Sequence, residues 1–141
     1  MSTEDNKALV RRAIEDLNQG NLGEAERYFT PNFVYHDAAN PQVHSREEYR
    51  QFLTNMQAAL SGQFTVEDLI AEGDKVVARY TARATHRGQW RGIPPTGKQV
   101  VVTGTNTYRF AEGKIAEIWQ NADTLSLLQQ IGALTTPGQA S

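Results

Sequence analysis

The sequence carries one carboxylate well suited to exchange protons with a substrate, Asp123, four residues after Trp119. A carboxyl group at the mouth of an apolar pocket is desolvated, which suits it to proton exchange near neutral pH. Asp123 is therefore the best candidate for general acid/base catalysis. The residue also has a structural interpretation, because an aspartate before Thr124-Leu125 is a common N-cap of a helix. The spacing is compatible with both roles.

Of the three histidines, His86 and His36 are the other candidates for the site, whereas His44 precedes the Ser45 cap and is expected at the surface. Histidine titrates near physiological pH, so His86 is the natural second catalytic group, as a hydrogen-bond donor or proton relay. The alternative for His86 is a solvated residue at the end of a strand. His36 lies in Tyr35-His36-Asp37, where either the carboxylate orients the imidazole or the pair forms a turn. None of the three forms a motif such as H-E-x-x-H, so we predict no metal site.

Alternation along the predicted strands indicates which polar side chains converge. Positions two apart in a strand lie on one face of a sheet. Between Tyr80 and His86 that face carries only small residues, which leaves room for a ligand. We therefore expect one cavity to be faced by Tyr80, His86, Asn106, Tyr108, Trp119, Asn121 and Asp123.

Helical periodicity dominates the first part of the chain. Val10, Ala13, Ile14 and Leu17 are spaced as one face of a helix that starts at Ser2 or Thr3 and ends at Gly20. The pattern then predicts a second, shorter helix from Asn21 to Pro31 and a third from the Ser45 capping box to Gly62.

The period changes from 3.6 to 2 after Gly62, which predicts four antiparallel strands at residues 64–70, 76–86, 100–110 and 115–121. A short strand at 33–35 is expected at one edge, and residues 123–131 form a terminal turn or helix. The stiff connector from Gly92 to Lys98 is expected to rim the pocket. Helices followed by a meander indicate an α+β fold with a cone-shaped hollow. We assign one domain to residues 1–134 and a flexible tail to residues 135–141.

Composition limits the classes of partner. The chain has 141 residues, a net charge of −2 and no cysteine, so thiolate nucleophiles and cysteine-bound metals are excluded. The absence of a basic run or a long apolar run predicts no nucleic acid and no membrane as partner. An acidic N-terminus without a signal pattern predicts a cytoplasmic protein.

Four segments together resemble a known family, the SnoaL-like polyketide cyclases or ester cyclases of the NTF2-like superfamily. They are Tyr35-His36-Asp37, the 86–98 segment with its Gly92-Ile93-Pro94-Pro95-Thr96-Gly97-Lys98 end, the 113–119 segment ending in Glu117-Ile118-Trp119, and Asp123-Thr124-Leu125 with the residues up to Gly132.

The resemblance implies an α+β cone-shaped barrel, with three helices on a curved, mostly antiparallel sheet around a deep apolar cavity. It also implies a homodimer formed through the outer face of the sheet. Polyketide-cyclising members close a ring by intramolecular aldol condensation, without metal or organic cofactor. Asp123 matches the acid/base aspartate of that family, and His86 and His36 match recurrent polar positions, so we expect His36 to contact the substrate as well.

The leading hypothesis is a small cofactor-free enzyme that uses Asp123 on an apolar carbonyl compound, with a small apolar organic molecule as its ligand. One alternative is another NTF2-like enzyme, an isomerase or an epoxide hydrolase. The other is a non-catalytic pocket protein, which an exposed Asp123 that merely caps a helix would favour. The fold hosts many activities, so these alternatives stay open at the level of sequence.

Overall fold

The computed structural model describes residues 2–134, apart from the side chains of residues 24–26. The predicted flexible tail at 135–141 lies outside the described residues. The first helix, α1, spans Thr3–Asn18 and is capped by Ser2, whose hydroxyl accepts from the Asp5 backbone while the Asp5 carboxylate accepts from the Ser2 backbone. Gly20 follows with a φ of 78°, a left-handed conformation that favours glycine at a helix end. The first predicted helix is confirmed.

The second helical segment is shorter than the sequence pattern predicted. Helix α2 covers only Leu22–Ala25, a 3₁₀ turn follows at Glu26–Tyr28, and strand β1 begins at Phe29 and runs to His36. The prediction that the helix continues to Pro31 is therefore wrong. Pro31 lies inside β1 instead, where the pairing is irregular between Phe29 and Val34. Because β1 is an edge strand, the missing N–H of proline is tolerated there.

Helix α3 spans Arg46–Ala59 and begins with the predicted capping box of Ser45 and Glu48. It ends before Gly62, because β2 starts directly at Leu60. Gly62 pairs with Ala84 in the next strand, and a β-carbon on Gly62 would overlap the backbone of that strand. The glycine therefore permits close strand contact rather than ending the helix.

The sheet contains five strands in the order β1-β5-β4-β3-β2, with β2 at Leu60–Glu72, β3 at Lys75–His86, β4 at Gln99–Ala111 and β5 at Lys114–Ala122. Strands β2 to β5 form the predicted antiparallel meander, and β1 joins β5 in parallel. A seven-residue helix, α4, follows at Thr124–Gln130. The predicted α+β fold is confirmed.

The buried side chains form two clusters at different ends of the inner face. The first contains aromatic rings of β1 and α3, with Tyr35 and Tyr49 centred 4.5 Å apart. The second contains Trp90, Val100 and Leu127 near α4. Residues at the borders of both clusters enclose the cavity described below. Among residues 2–134, no helix is long and apolar enough to cross a membrane.

Candidate functional site

A cavity lies between α3, the inner face of the sheet and α4. Its volume is about 130 Å³. Such a concave, mostly apolar space is the usual form of a small-molecule site. Its apolar walls include Phe52, Leu53, Met56, Leu60, Phe64, Trp90, Val100, Val102 and Leu127.

One end of the cavity is polar and centred on the half-buried carboxylate of Asp37. Its Oδ2 accepts from the Tyr35 hydroxyl at 3.0 Å, the Asn40 amide at 2.9 Å and the Gln120 amide at 3.3 Å. Among residues 2–134, its Oδ1 accepts one hydrogen bond, from the Ala39 N–H at 3.0 Å. A carboxylate oxygen has two lone pairs, so Oδ1 retains capacity toward the cavity. The four donors fix the position of the carboxyl group.

Our sequence analysis treated Asp37 only as a neighbour of His36 and missed it as a site residue. The available signal was strand alternation: Asp37 is two residues after Tyr35, so the two share the inner face, while His36 lies on the outer face. Burial raises the pKa of Tyr35, and the nearby charges of Tyr49 and Asp37 raise it further. Tyr35 therefore keeps its proton and stays a donor to Asp37.

Tyr80 reaches the cavity from the middle of β3, as the sequence predicted. Its side chain packs against Gly104 of β4, where a β-carbon would overlap the ring and the hydroxyl. The residue is only 5% exposed, and its hydroxyl has no hydrogen-bond partner among the residues that the structure describes. Burial raises the pKa of Tyr80, with Tyr108 and Asp37 adding to the effect, so this hydroxyl is a donor.

The mouth of the cavity is bordered by a small hairpin. The backbones of Trp90 and Ile93 exchange two hydrogen bonds, and the turn between them places both Arg91 and Gly92 at positive φ. Arg91 donates to the Ala39 carbonyl at 2.7 Å and to the Asn40 side-chain oxygen at 3.3 Å. Arg91 thereby ties the hairpin to the loop that carries two of the four donors of Asp37, Ala39 and Asn40.

Asp123 lies at the N-cap of α4, as its structural interpretation predicted. It is exposed and caps α4, with its Oδ1 accepting the Ser126 N–H at 3.0 Å. Its neighbours Ala122 and Thr124 line the cavity, which places Asp123 at the rim. The catalytic role of Asp123 stays a prediction.

Trp119, Asn121 and Asp123, which strand alternation in the sequence places at the cavity, are not among the residues that line it. The cause is an irregularity in the β4–β5 pairing, where Arg109 lies opposite Glu117 but Phe110 lies opposite Ile115. This bulge inserts one extra residue, which reverses the alternation in the rest of β5. Gln120 and Ala122 line the cavity instead. These two residues share the other side of β5.

His36 and Trp119 meet on the outer face of the sheet, so the predicted contact of His36 with the substrate in the cavity is not supported by its position. The two rings stack at 5.3 Å, and His36 Nε2 lies 2.6 Å from Glu117 Oε2. Arg109 donates to the other Glu117 oxygen at 2.8 Å. Burial raises the pKa of Glu117, but hydrogen bonds from Arg109 and His36 outweigh it, and the net pKa is lowered.

His86, Asn106 and Tyr108 are buried but lie outside the set that lines the cavity. His86 Nδ1 lies 3.0 Å from the Thr96 hydroxyl and accepts the Thr96 N–H at 3.3 Å, which attaches the 86–98 segment to the end of β3. The amide of Asn106 donates to the Tyr108 hydroxyl at 3.2 Å. In this geometry the three side chains organise the interior rather than line the cavity.

No group of three or more potential metal ligands occurs among residues 2–134. The polar groups at the cavity are oxygen acceptors and neutral donors, together with two arginines, Arg83 and Arg91. Such a set suits proton transfer and polarisation of a carbonyl oxygen.

Comparison with known proteins decides the family. The model of the SnoaL-like polyketide cyclases matches residues 8–131, which is nearly the whole chain. The protein belongs to the SnoaL-like polyketide cyclase family. Its homologues in this family are named as cyclases, and a cyclase-type catalytic role follows at the level of the family.

Two curated SnoaL-like relatives are aklanonic acid methyl ester cyclases. DnrD of Streptomyces peucetius is 27% identical over 131 residues, covering 88% of each chain. DauD of Streptomyces sp. (strain C5) is 27% identical over 131 residues, covering 88% of this chain and 80% of the relative.

Solved structures share the fold. AclR of Streptomyces galilaeus, provisionally described as a hydroxylase, superposes with a TM-score of 0.87 at 28% identity, covering 96% of this chain and 89% of its own. IdmH of Streptomyces antibioticus, provisionally described as a polyketide cyclase, has a TM-score of 0.77 at 32% identity, covering 89% and 97%. These neighbours confirm the SnoaL-like fold, and their different descriptions show that the fold alone does not define the reaction.

Proposed function

We propose that this protein is a cofactor-free cyclase that closes a ring in an apolar polyketide-type ester by an intramolecular aldol addition. The observation that carries the proposal is the apolar cavity of a SnoaL-like chain, with a carboxylate fixed at its polar end. An apolar mould holds a flexible chain with its reacting carbons close together, which lowers the entropic part of the barrier. The polar end supplies a proton acceptor and hydrogen-bond donors.

Asp123 is proposed as the general acid/base, by its resemblance to the family aspartate. It lies between two cavity-lining residues, Ala122 and Thr124. Its Oδ1 is engaged by the helix cap, while Oδ2 has no partner among the described residues. A substrate that fills the cavity and reaches the rim would exclude water from Oδ2 and place it against the ligand.

The first substrate to test is aklanonic acid methyl ester, the compound in the names of the two curated relatives. An intramolecular aldol reaction rearranges bonds without changing the mass. We expect purified protein to convert the ester to a product of identical mass and different retention time in liquid chromatography with mass detection.

Two neighbouring valines of β4 provide a matched test of the site. Val102 lines the cavity, whereas Val101 is 49% exposed. Val102→Phe should abolish most of the conversion by filling the cavity, and Val101→Phe should leave it unchanged. Equal activity of the two variants would refute this cavity as the reaction site, and a wild-type protein that yields no isomer from the ester would refute the proposed substrate class.

A non-catalytic binding protein is the second candidate, and the exposed capping position of Asp123 favours it. Binding without conversion would identify it: saturable quenching of tryptophan fluorescence by the ester, with the ester recovered unchanged. Trp90 lines the cavity and provides the fluorescence signal.

We also propose that the chain forms a homodimer through the outer face of the sheet. This face exposes Val101 of β4, and it carries Trp119 on β5 and charged pairs such as Arg79–Asp68. Light scattering should give twice the chain mass of 15.7 kDa, and Trp119→Glu should give the monomer mass. The cytoplasmic location stays a prediction from the sequence.

A further inference from the structure

Two groups in the cavity have bonding capacity that the folded chain does not use. Asp37 Oδ1 accepts a single N–H, and the Tyr80 hydroxyl has no partner among residues 2–134. Both residues line the cavity. The predictions from the sequence gave neither of them a role in proton transfer. Tyr80 is 5% exposed and lines the cavity, so its hydroxyl is available to a ligand bound there.

We propose that Asp37 and Tyr80 form a catalytic pair inside the cavity, in which Asp37 removes a proton from a carbon next to a ketone and Tyr80 stabilises the resulting enolate oxygen. The inference rests on the proposed function, since it describes the same cavity and adds the groups that act on the substrate. It also narrows the substrate to an apolar ketone that has an acidic α-carbon.

Asp37 has the geometry of a base. Three donors occupy its Oδ2, and these hydrogen bonds hold the carboxyl plane, so Oδ1 presents its open lone pair in a fixed direction. Arg91 donates to the side chain of Asn40, which in turn donates to Asp37. The hairpin at the mouth thus fixes the base through Asn40, and Arg91 is a positioning residue.

Tyr80 has the properties of an oxyanion donor. Its phenol keeps its proton, because burial and the negative charge of Asp37 both disfavour the phenolate. Close packing against Gly104 and an edge-on contact with Phe64, centred 5.3 Å away, hold the ring in one orientation. A preorganised donor in a water-poor site stabilises a developing negative charge strongly.

The proposed steps balance without any further reactant. Asp37 Oδ1 takes the proton as the α-carbon–hydrogen bond breaks, and the electron pair forms the enolate, whose oxygen accepts the Tyr80 hydrogen bond. The enolate carbon then attacks a second carbonyl carbon of the same molecule, forming the ring bond. The resulting alkoxide takes a proton that Asp123 relays from water at the rim, and Asp37 returns its own proton to water, so the product is an isomer of the substrate.

The first step can be measured alone with 2-tetralone, a small apolar ketone that cannot close a ring on itself. In D₂O, wild-type protein should accelerate the exchange of its α-hydrogens for deuterium, followed by proton NMR. Asp37→Asn should lower the enzyme-dependent rate on the order of 10²-fold or more, the usual contribution of a general base. Tyr80→Phe should lower it on the order of 10²-fold, as loss of an oxyanion donor does.

Matched controls use the same substitutions away from the cavity. Asp68→Asn removes an exposed carboxylate paired with Arg79 on the outer face, and Tyr28→Phe removes a hydroxyl bonded to Asp16 of α1. Both should exchange at the wild-type rate. Tyr80→Phe deletes a hydroxyl that bonds no described residue, so it keeps the fold and carries the test even if Asp37→Asn unfolds.

Three results would overturn the pair: a folded Asp37→Asn protein at the wild-type exchange rate, a Tyr80→Phe protein at that rate, or wild-type protein that binds 2-tetralone without accelerating exchange. Other results would refute the proposed function without refuting the pair. Wild-type protein that exchanges α-hydrogens but never cyclises the ester would refute the cyclase and retain the pair. Cyclisation at full rate by both variants would refute the pair and retain the cyclase.

Discussion

Two substitutions at Asp123 separate its cap from its proposed catalysis. The Asp123 carboxylate accepts the Ser126 N–H at 3.0 Å. Alanine removes this acceptor and should cost about 1 kcal/mol, whereas asparagine retains an equivalent oxygen and should cost almost nothing. For 141 residues, an unfolding entropy of about 2.1 cal/mol/K per residue gives about 0.3 kcal/mol/K. The midpoint Tm should therefore fall by about 3 °C in Asp123→Ala and stay within about 1 °C in Asp123→Asn.

Activity responds differently if Asp123 exchanges protons with the substrate. Asp123→Asn then loses on the order of 10²-fold or more in kcat, at an unchanged Tm. The assay pairs calorimetric unfolding with conversion of aklanonic acid methyl ester, on the same protein samples. An Asp123→Asn protein with wild-type Tm and full turnover would refute the acid/base role, and one that loses as much stability as Asp123→Ala would refute the cap.

Glu117→Gln should flatten the dependence of Tm on pH. The pKa of Glu117 is lowered below its ordinary value of 4.5 by Arg109 and His36, so its contribution to stability is present above pH 4.5 and is lost as pH falls through the lower folded pKa. The measurement is the Tm of both proteins between about pH 2.5 and 7, which spans the titration range of a carboxyl group. Profiles that coincide for the two proteins would contradict the prediction. Gly104→Ala should destabilise the fold by about 1–3 kcal/mol in urea unfolding, because the new methyl group overlaps Tyr80. If the Gly104→Ala protein keeps its stability and its ester binding, the Tyr80 ring moves aside at no cost in free energy and the prediction is wrong.

The helices and the meander followed from local signals. The capping box of Ser45 and Glu48 forms as predicted, and Ser2, one of the two predicted caps of the first helix, forms a second capping box with Asp5. The antiparallel strands follow from period-2 alternation and from Gly73 and Gly113, which adopt positive φ in the tight turns. These features depend on residues close together in the chain.

The remaining features depend on pairing between distant segments. Strand β1 reaches back to Phe29 because β5 provides a parallel partner, and no local pattern around Pro31 reports that partner. The bulge opposite Arg109 exchanges the two faces of β5, which moved the predicted residues Trp119 and Asn121 to the outer face. Tyr80 was placed correctly because β3 pairs with β4 without irregularity.

The parallel pairing of β1 with β5 has a consequence for synthesis. Phe29 lies opposite Ile115, so β1 leaves the ribosome long before its partner exists. Contacts between such distant segments form late, since a long loop must close first. Gln120 and Ala122, which complete the cavity wall, also belong to β5. A nascent chain that ends before β5 therefore has an incomplete cavity wall, and ligand binding becomes possible only after β5 has been synthesised.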